Sequence, residues 1–230
     1  MEEEAKAVKE VAKTTGKAID IGNSFGNFIN KVFGDGIVDM GGAFSDWARL
    51  YRFERLLELQ DRLDKIIDKR KLEGKTIPIK PKIGISIIQN ASLEDDDALQ
   101  DMWANLIANS IDPNTRLNPS KLFISILSEL EPLDVALLNA IKEFEEKNTP
   151  INRFLSGGAG NLKYIQESLG VYDESLGISL YNIHRLDLIT DERYNSMEHV
   201  GFGTHGISVD DEKSVFVLTS LGNALLGACD

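Results

Sequence analysis

The chain has 230 residues, 42% hydrophobic and 27% charged, enough to bury a sizeable core in one large or two small domains. Its formal charge of −12 is uneven: residues 1–80 carry 15 Lys and Arg against 14 Asp and Glu, residues 81–150 carry 5 against 12, and residues 151–230 carry 5 against 11. The acidic last two thirds argue against broad nucleic-acid binding there, because they repel phosphate backbones, and the single cysteine, Cys229, excludes an intrachain disulfide.

One cysteine also fits a reducing cytoplasm. The start Met1–Glu4 is acidic with no apolar run behind it, so no secretory leader is expected. The sequence holds no uninterrupted stretch of about 18 or more apolar residues, so no conventional membrane-spanning helix is expected.

Residues 2–17 are rich in alanine and lysine, with Glu2, Glu3 and Glu4 in front and Lys13 and Lys17 behind, the charge order a helix dipole favours. In the next segment Ile21, Phe25, Phe28, Ile29, Val32 and Phe33 recur at helical spacing. Ala18, Gly22 and Gly26 stand four apart, which leaves a strip without side-chain bulk where another backbone can approach. Each interior glycine costs about 0.5–1 kcal/mol relative to alanine, so the strip needs a packing partner. Gly34, Gly36, Gly41 and Gly42 then break the pattern.

A long amphipathic helix is expected from Ser45 to Leu72, with Trp47, Leu50, Phe53, Leu56, Leu59, Leu63 and Ile67 on its apolar side. Arg49, Arg52, Arg55, Arg62, Lys65, Lys69, Arg70 and Lys71 make it the richest element in cations, and Gly74 is expected to stop it. Residues 75–82, with Pro78 and Pro81, read as a linker, and Ile83 to Asn90 as a short helix feeding a cap at Ser92. From Ser92 the spacing of Leu99, Met102, Trp103, Leu106 and Ile107 predicts a helix ending before Pro113, with Glu94 to Asp97 in its first turn and Trp103 as core anchor.

Asn118 and Pro119 are expected to open a helix through Leu130, and Pro132 another through Lys147 along Val135, Leu138, Ile141 and Phe144. After a glycine-bearing loop come helices over Leu162–Leu169 and Glu174–Leu186, a short strand at Leu188–Thr190, a polar insert, a strand at Ser214–Leu218 and a terminal helix from Ser220. Helix, helix, strand, loop, strand, helix is the order of a winged helix.

Three stretches carry a family resemblance. Leu93-Glu94-Asp95-Asp96-Asp97 with Met102-Trp103-Ala104-Asn105-Leu106, Leu130-Glu131-Pro132-Leu133-Asp134, and Leu218-Thr219-Ser220-Leu221-Gly222 together resemble the Abi-alpha family of bacterial abortive-infection proteins. The likeness runs from about Arg49 to Cys229, and it implies a role in phage resistance. Its motifs are packing and capping signals, so it carries over no catalytic residue.

No catalytic constellation emerges from the residues themselves. Asp97 and Asp101 share a helix face and could offer oxygen ligands to a cation, but Asp95 and Asp96 point elsewhere, and a dipole-matched first turn explains the cluster. His184, His199 and His205 lack a cysteine or acid at zinc-like spacing. Cys229 lacks a basic neighbour to lower its pKa, and Gly157-Gly158 and Gly201-Phe202-Gly203 lack the flanking strand and lysine of a phosphate loop.

The sequence thus predicts a mainly α protein. Residues 1–44 form an amphipathic N-terminal helical region, residues 45–150 a long basic helix plus a central helical bundle, and residues 151–230 a winged-helix-like α+β domain. The expected activity is non-enzymatic anti-phage action through protein contacts, with self-association into a homo-oligomer or peripheral engagement of the inner membrane. Gly22, Phe25, Gly26, Phe28, Arg49, Arg52 and Arg55 are the candidate interaction residues, and no cofactor, metal or small-molecule substrate is expected. The rival reading is a winged-helix DNA-binding regulator using Lys163 and Arg185.

Overall fold

The computed structural model describes residues 46–115, 120–148, 160–192 and 214–230. The expectations for residues 1–45, for Asn118 and Pro119, and for the insert at 193–213 lie outside them. Within the described residues the protein is mainly helical. Its elements are α1 (Asp46–Arg70), α2 (Pro81–Ala91), α3 (Asp97–Ile111), α4 (Lys121–Leu127), α5 (Pro132–Lys147), α6 (Leu162–Leu169), α7 (Glu174–Arg185), β1 (Ile189–Asp191), β2 (Phe216–Leu218) and α8 (Ser220–Ala228). They divide into two compact units, Met1–Asp95 with Trp103–Ile124, and Asp96–Met102 with Ser125–Asp230.

In the first unit α1 packs on α2. Leu56, Leu59, Leu63 and Ile67, three or four residues apart, are all buried, so one stripe of α1 faces the core. The helix stops one turn earlier than Gly74. Lys71 takes the left-handed conformation (φ 55°) and Leu72 N–H returns to the carbonyl of Ile67 at 3.0 Å, closing the end as a glycine would. Gly74 (φ 67°) serves the turn that follows, where Lys75 N–H reaches Leu72 O at 3.0 Å. Pro81 is the first residue of α2 and not part of a linker, since a missing N–H costs nothing at that position.

Ser92 caps the wrong helix for the sequence expectation. It ends α2, its N–H bonding Ile88 O at 3.1 Å and its hydroxyl donating to Gln89 O at 3.1 Å. The N-cap of α3 is Asp96, whose Oδ1 accepts from the N–H groups of Ala98 at 2.9 Å and Leu99 at 3.0 Å. The acidic run therefore contributes a capping oxygen as well as charge for the dipole. Likewise α4 starts at Lys121, with Ser120 Oγ accepting from Phe123 N–H at 3.3 Å, and it ends at Leu127.

In the second unit α5 packs against α6, α7 and β2. Pro132 opens α5, and Asp134 accepts from Glu131 N–H at 2.9 Å to close a capping box. Strands β1 and β2 are antiparallel, with Ile189 opposite Leu218 and Asp191 opposite Phe216. A gap of 24 residues separates them, and α8 follows β2 directly after Thr219.

Candidate functional site

The second unit holds its parts together by buried polar contacts as well as apolar ones. Asp134 on α5 is 1% exposed. Its Oδ1 accepts from the hydroxyl of Ser179 on α7, and its Oδ2 accepts from Asn182 Nδ2 at 2.7 Å as well as from Glu131. Asn182 Nδ2 also reaches the carbonyl of Glu129 at 3.0 Å. A buried carboxyl surrounded by donors is stable only while every donor stays in place, so this network fixes the rotation of α7 against α5.

That rotation sorts the residues of α7. Leu176, Leu180 and Ile183 turn inward and are at most 1% exposed, while Ile178 is 70% and Tyr181 62% exposed. Tyr172, on the turn before α7, is 67% exposed. These three, with Gln166, Asp173, Glu174, Leu176 and Gly177, line an open concavity of about 720 Å³. Asp173 is the N-cap of α7 and accepts from Ser175 N–H at 3.0 Å and from its hydroxyl. Those bonds hold its carboxyl below the ordinary aspartate range, the Ser175 hydroxyl contributing most, and so keep a negative charge at the rim of the concavity.

The cations expected to read a duplex stand in ion pairs. Arg185 donates to Glu129 Oε2 at 2.8 Å and to Asn182 Oδ1 at 2.7 Å, and Lys163 lies 3.8 Å from Glu167. Both pairs are exposed. Along α1, Arg55 pairs with Glu58 at 2.8 Å, and Glu54, Asp61, Asp64 and Asp68 are interspersed with the cations, so the basic face is mixed in sign. Arg52 is half-buried and Arg49 falls in the first turn of that helix. Gly22, Phe25, Gly26 and Phe28 lie outside the described residues.

Burial, with the charge of Asp230 beside it, pushes the Cys229 thiol up to about 12, which leaves it protonated and unreactive at neutral pH. Among the described residues no group of three or more His, Cys, Asp or Glu side chains could hold a metal ion, and no helix is long and apolar enough to cross a membrane.

The stretches that carry the family resemblance all do structural work. Trp103 is 1% exposed. Asn105, two residues on, accepts from Arg70 at 3.4 Å, and Asn109 accepts from the same guanidinium at 2.5 Å, which ties the end of α1 to α3 within the first unit. Glu131 and Asp134 form the capping box of α5. Thr219 Oγ1 accepts from Gly222 N–H at 3.0 Å as the N-cap of α8 and donates to Asp187 O at 2.6 Å. Gly222 itself lies so close to the carbonyl of Leu188 that a β-carbon there would overlap it.

A profile of the abortive infection alpha family matches residues 52–229. The chain belongs to that family. Searches of curated proteins and of solved structures give no match. The abortive infection alpha match takes in residues of both compact units and includes the concavity beside α7. Tyr172, Ile178 and Tyr181 are not among the candidate residues expected from the sequence. The signal was present: with Leu176, Leu180 and Ile183 assigned to the core, Ile178 and Tyr181 form a second apolar pair three residues apart on another face.

Proposed function

We propose that this abortive infection alpha protein is a non-enzymatic cytoplasmic anti-phage factor that acts through protein contacts. The C-terminal unit senses a phage-derived or host partner, and the N-terminal segment around Ala18–Phe33 then self-associates or engages the inner membrane. The order α5, α6, α7, β1, β2, α8, with α5 packed on α6, α7 and β2, supports a winged-helix-like unit. The observation that carries the contact reading is the outward face of α7. Where a duplex reader would display cations, it exposes Ile178 and Tyr181, and its terminal Arg185 is paired with Glu129.

Exposed apolar side chains with a charged rim are the composition of a protein-docking surface. The anti-phage role is tested by phage plating on cells carrying the full chain, and fewer plaques than on empty cells are expected. The membrane arm is tested by sedimentation of the full chain with anionic liposomes. Protein that stays in the supernatant would remove that arm and leave self-association.

A further inference from the structure

We infer that the concavity beside α7 is a docking ledge for a lysine-bearing amphipathic helix of a partner protein. The inference rests on the contact reading above and names the surface and the chemistry of its occupant. The floor is apolar and aromatic, because Ile178, Tyr181 and Tyr172 are 70%, 62% and 67% exposed around an open space of about 720 Å³. Leaving three such side chains in water is costly, and covering them is favourable by the ordinary hydrophobic term. An open concavity between a helix and the turn before it suits the apolar stripe of another helix.

The sign of the rim selects the occupant's charge. Asp173 and Glu174 stand at the edge, both exposed, and the hydrogen bonds from Ser175 hold Asp173 ionised. The cations on the neighbouring helices, Lys163 and Arg185, are each matched by an acid, Glu167 and Glu129. The ledge therefore carries net negative charge, which attracts lysine side chains and repels nucleic acid. The two exposed tyrosine rings add a favourable seat for an ammonium group. A lysine-bearing apolar stripe meets all three conditions.

The test uses the full chain and a fluorescein-labelled, helix-forming lysine–leucine peptide as probe, with its glutamate–leucine counterpart as control, read by anisotropy. Ile178→Asp separates docking from simple charge attraction, since it adds a negative charge while removing the apolar floor. Saturable binding of the lysine peptide that weakens at least ten-fold in Ile178→Asp and in Tyr181→Ser, with no binding of the glutamate peptide, is expected. Binding that is absent, or that is equal or stronger in Ile178→Asp, would overturn the inference. Circular dichroism melts unchanged in both variants confirm that the fold is intact, as expected for positions this exposed. In phage plating, loss of protection in Ile178→Asp supports the ledge as the working contact, and retained protection overturns it while leaving the contact reading standing. Failure of the unmodified chain to protect would instead count against the contact reading itself.

Discussion

Asp134 accepts a hydrogen bond from the hydroxyl of Ser179, 45 residues later in the chain, and both residues are buried, 1% and 5% exposed. The bond links α5 to α7 through a residue that also caps α5, so one carboxyl sets where a helix begins and how its neighbour is rotated against it. The exposed face of α7 follows from that rotation.

Replacing Asp134 by alanine leaves the buried Ser179 hydroxyl without its acceptor and removes the part-buried bonds from Asn182 and Glu131. One unsatisfied buried donor costs about 1–3 kcal/mol, so a loss of about 1–3 kcal/mol is expected. Urea unfolding followed by circular dichroism measures it, and a loss below about 1 kcal/mol would show that the network contributes little.

Asn161, 0% exposed, stands where a third strand would. Its Nδ2 donates to Phe216 O at 2.6 Å and its Oδ1 accepts from Phe216 N–H at 2.9 Å, on the side of β2 away from β1. Asn161→Ala should cost about 3 kcal/mol by stranding two buried backbone groups. Amide hydrogen exchange should speed up at Phe216 in that variant while the N–H groups within α1 keep their protection.

Gly222 and Gly227 lie five residues apart in α8 and should respond oppositely to alanine. A β-carbon at Gly222 meets the Leu188 carbonyl, which is held in place by Thr219 N–H at 3.0 Å, so Gly222→Ala should destabilise by about 1–3 kcal/mol. A β-carbon at Gly227 meets nothing within 4 Å, so Gly227→Ala should stabilise by about 0.5–1 kcal/mol. Thermal melts of the two single variants check both signs.

Cys229 gives a pH dependence whose sign follows from burial. Its thiol is raised from an ordinary 9.0 to about 12 in the folded chain, so between those values the unfolded chain has lost a proton that the folded one keeps. Stability from this group is therefore fully present below about pH 9 and is lost as pH rises toward 12. The fall should be shallower in Cys229→Ser, and a thiol reagent at pH 8 should modify Cys229 only after denaturation.

Helix positions were legible where the sequence carried both an apolar period and an unambiguous boundary. Pro132 and the line Val135, Leu138, Ile141 and Phe144 predict the start of α5 at Pro132 and its end near Lys147, because proline at the first position and a regular stripe agree. The start of α3 was not legible, since Ser92 and Asp96 both precede a helical run. Only the turn at Ser92 and Leu93, closed by Leu93 N–H to Asn90 O at 2.9 Å, assigns Ser92 to the helix before.

The end of α1 was misread for a related reason. Glycine is the usual left-handed residue, but here Lys71 adopts that conformation and Gly74 the next turn. The clasp of Asn161 on Phe216 spans 55 residues and leaves no local pattern. The charge pattern of α7 shows Arg185 but not the ledge, because the exposure of Ile178 and Tyr181 depends on which face Asp134 turns inward.

The proposed function makes the N-terminal segment the effector of protection against phage, working through surfaces that meet other molecules. The most direct measurement is efficiency of plating on cells carrying the full chain beside cells carrying residues 45–230 at matched protein levels. Fewer plaques with the full chain and no protection from the shortened one are expected, although the shortened one still melts cooperatively. Equal protection by residues 45–230 would contradict the proposed function.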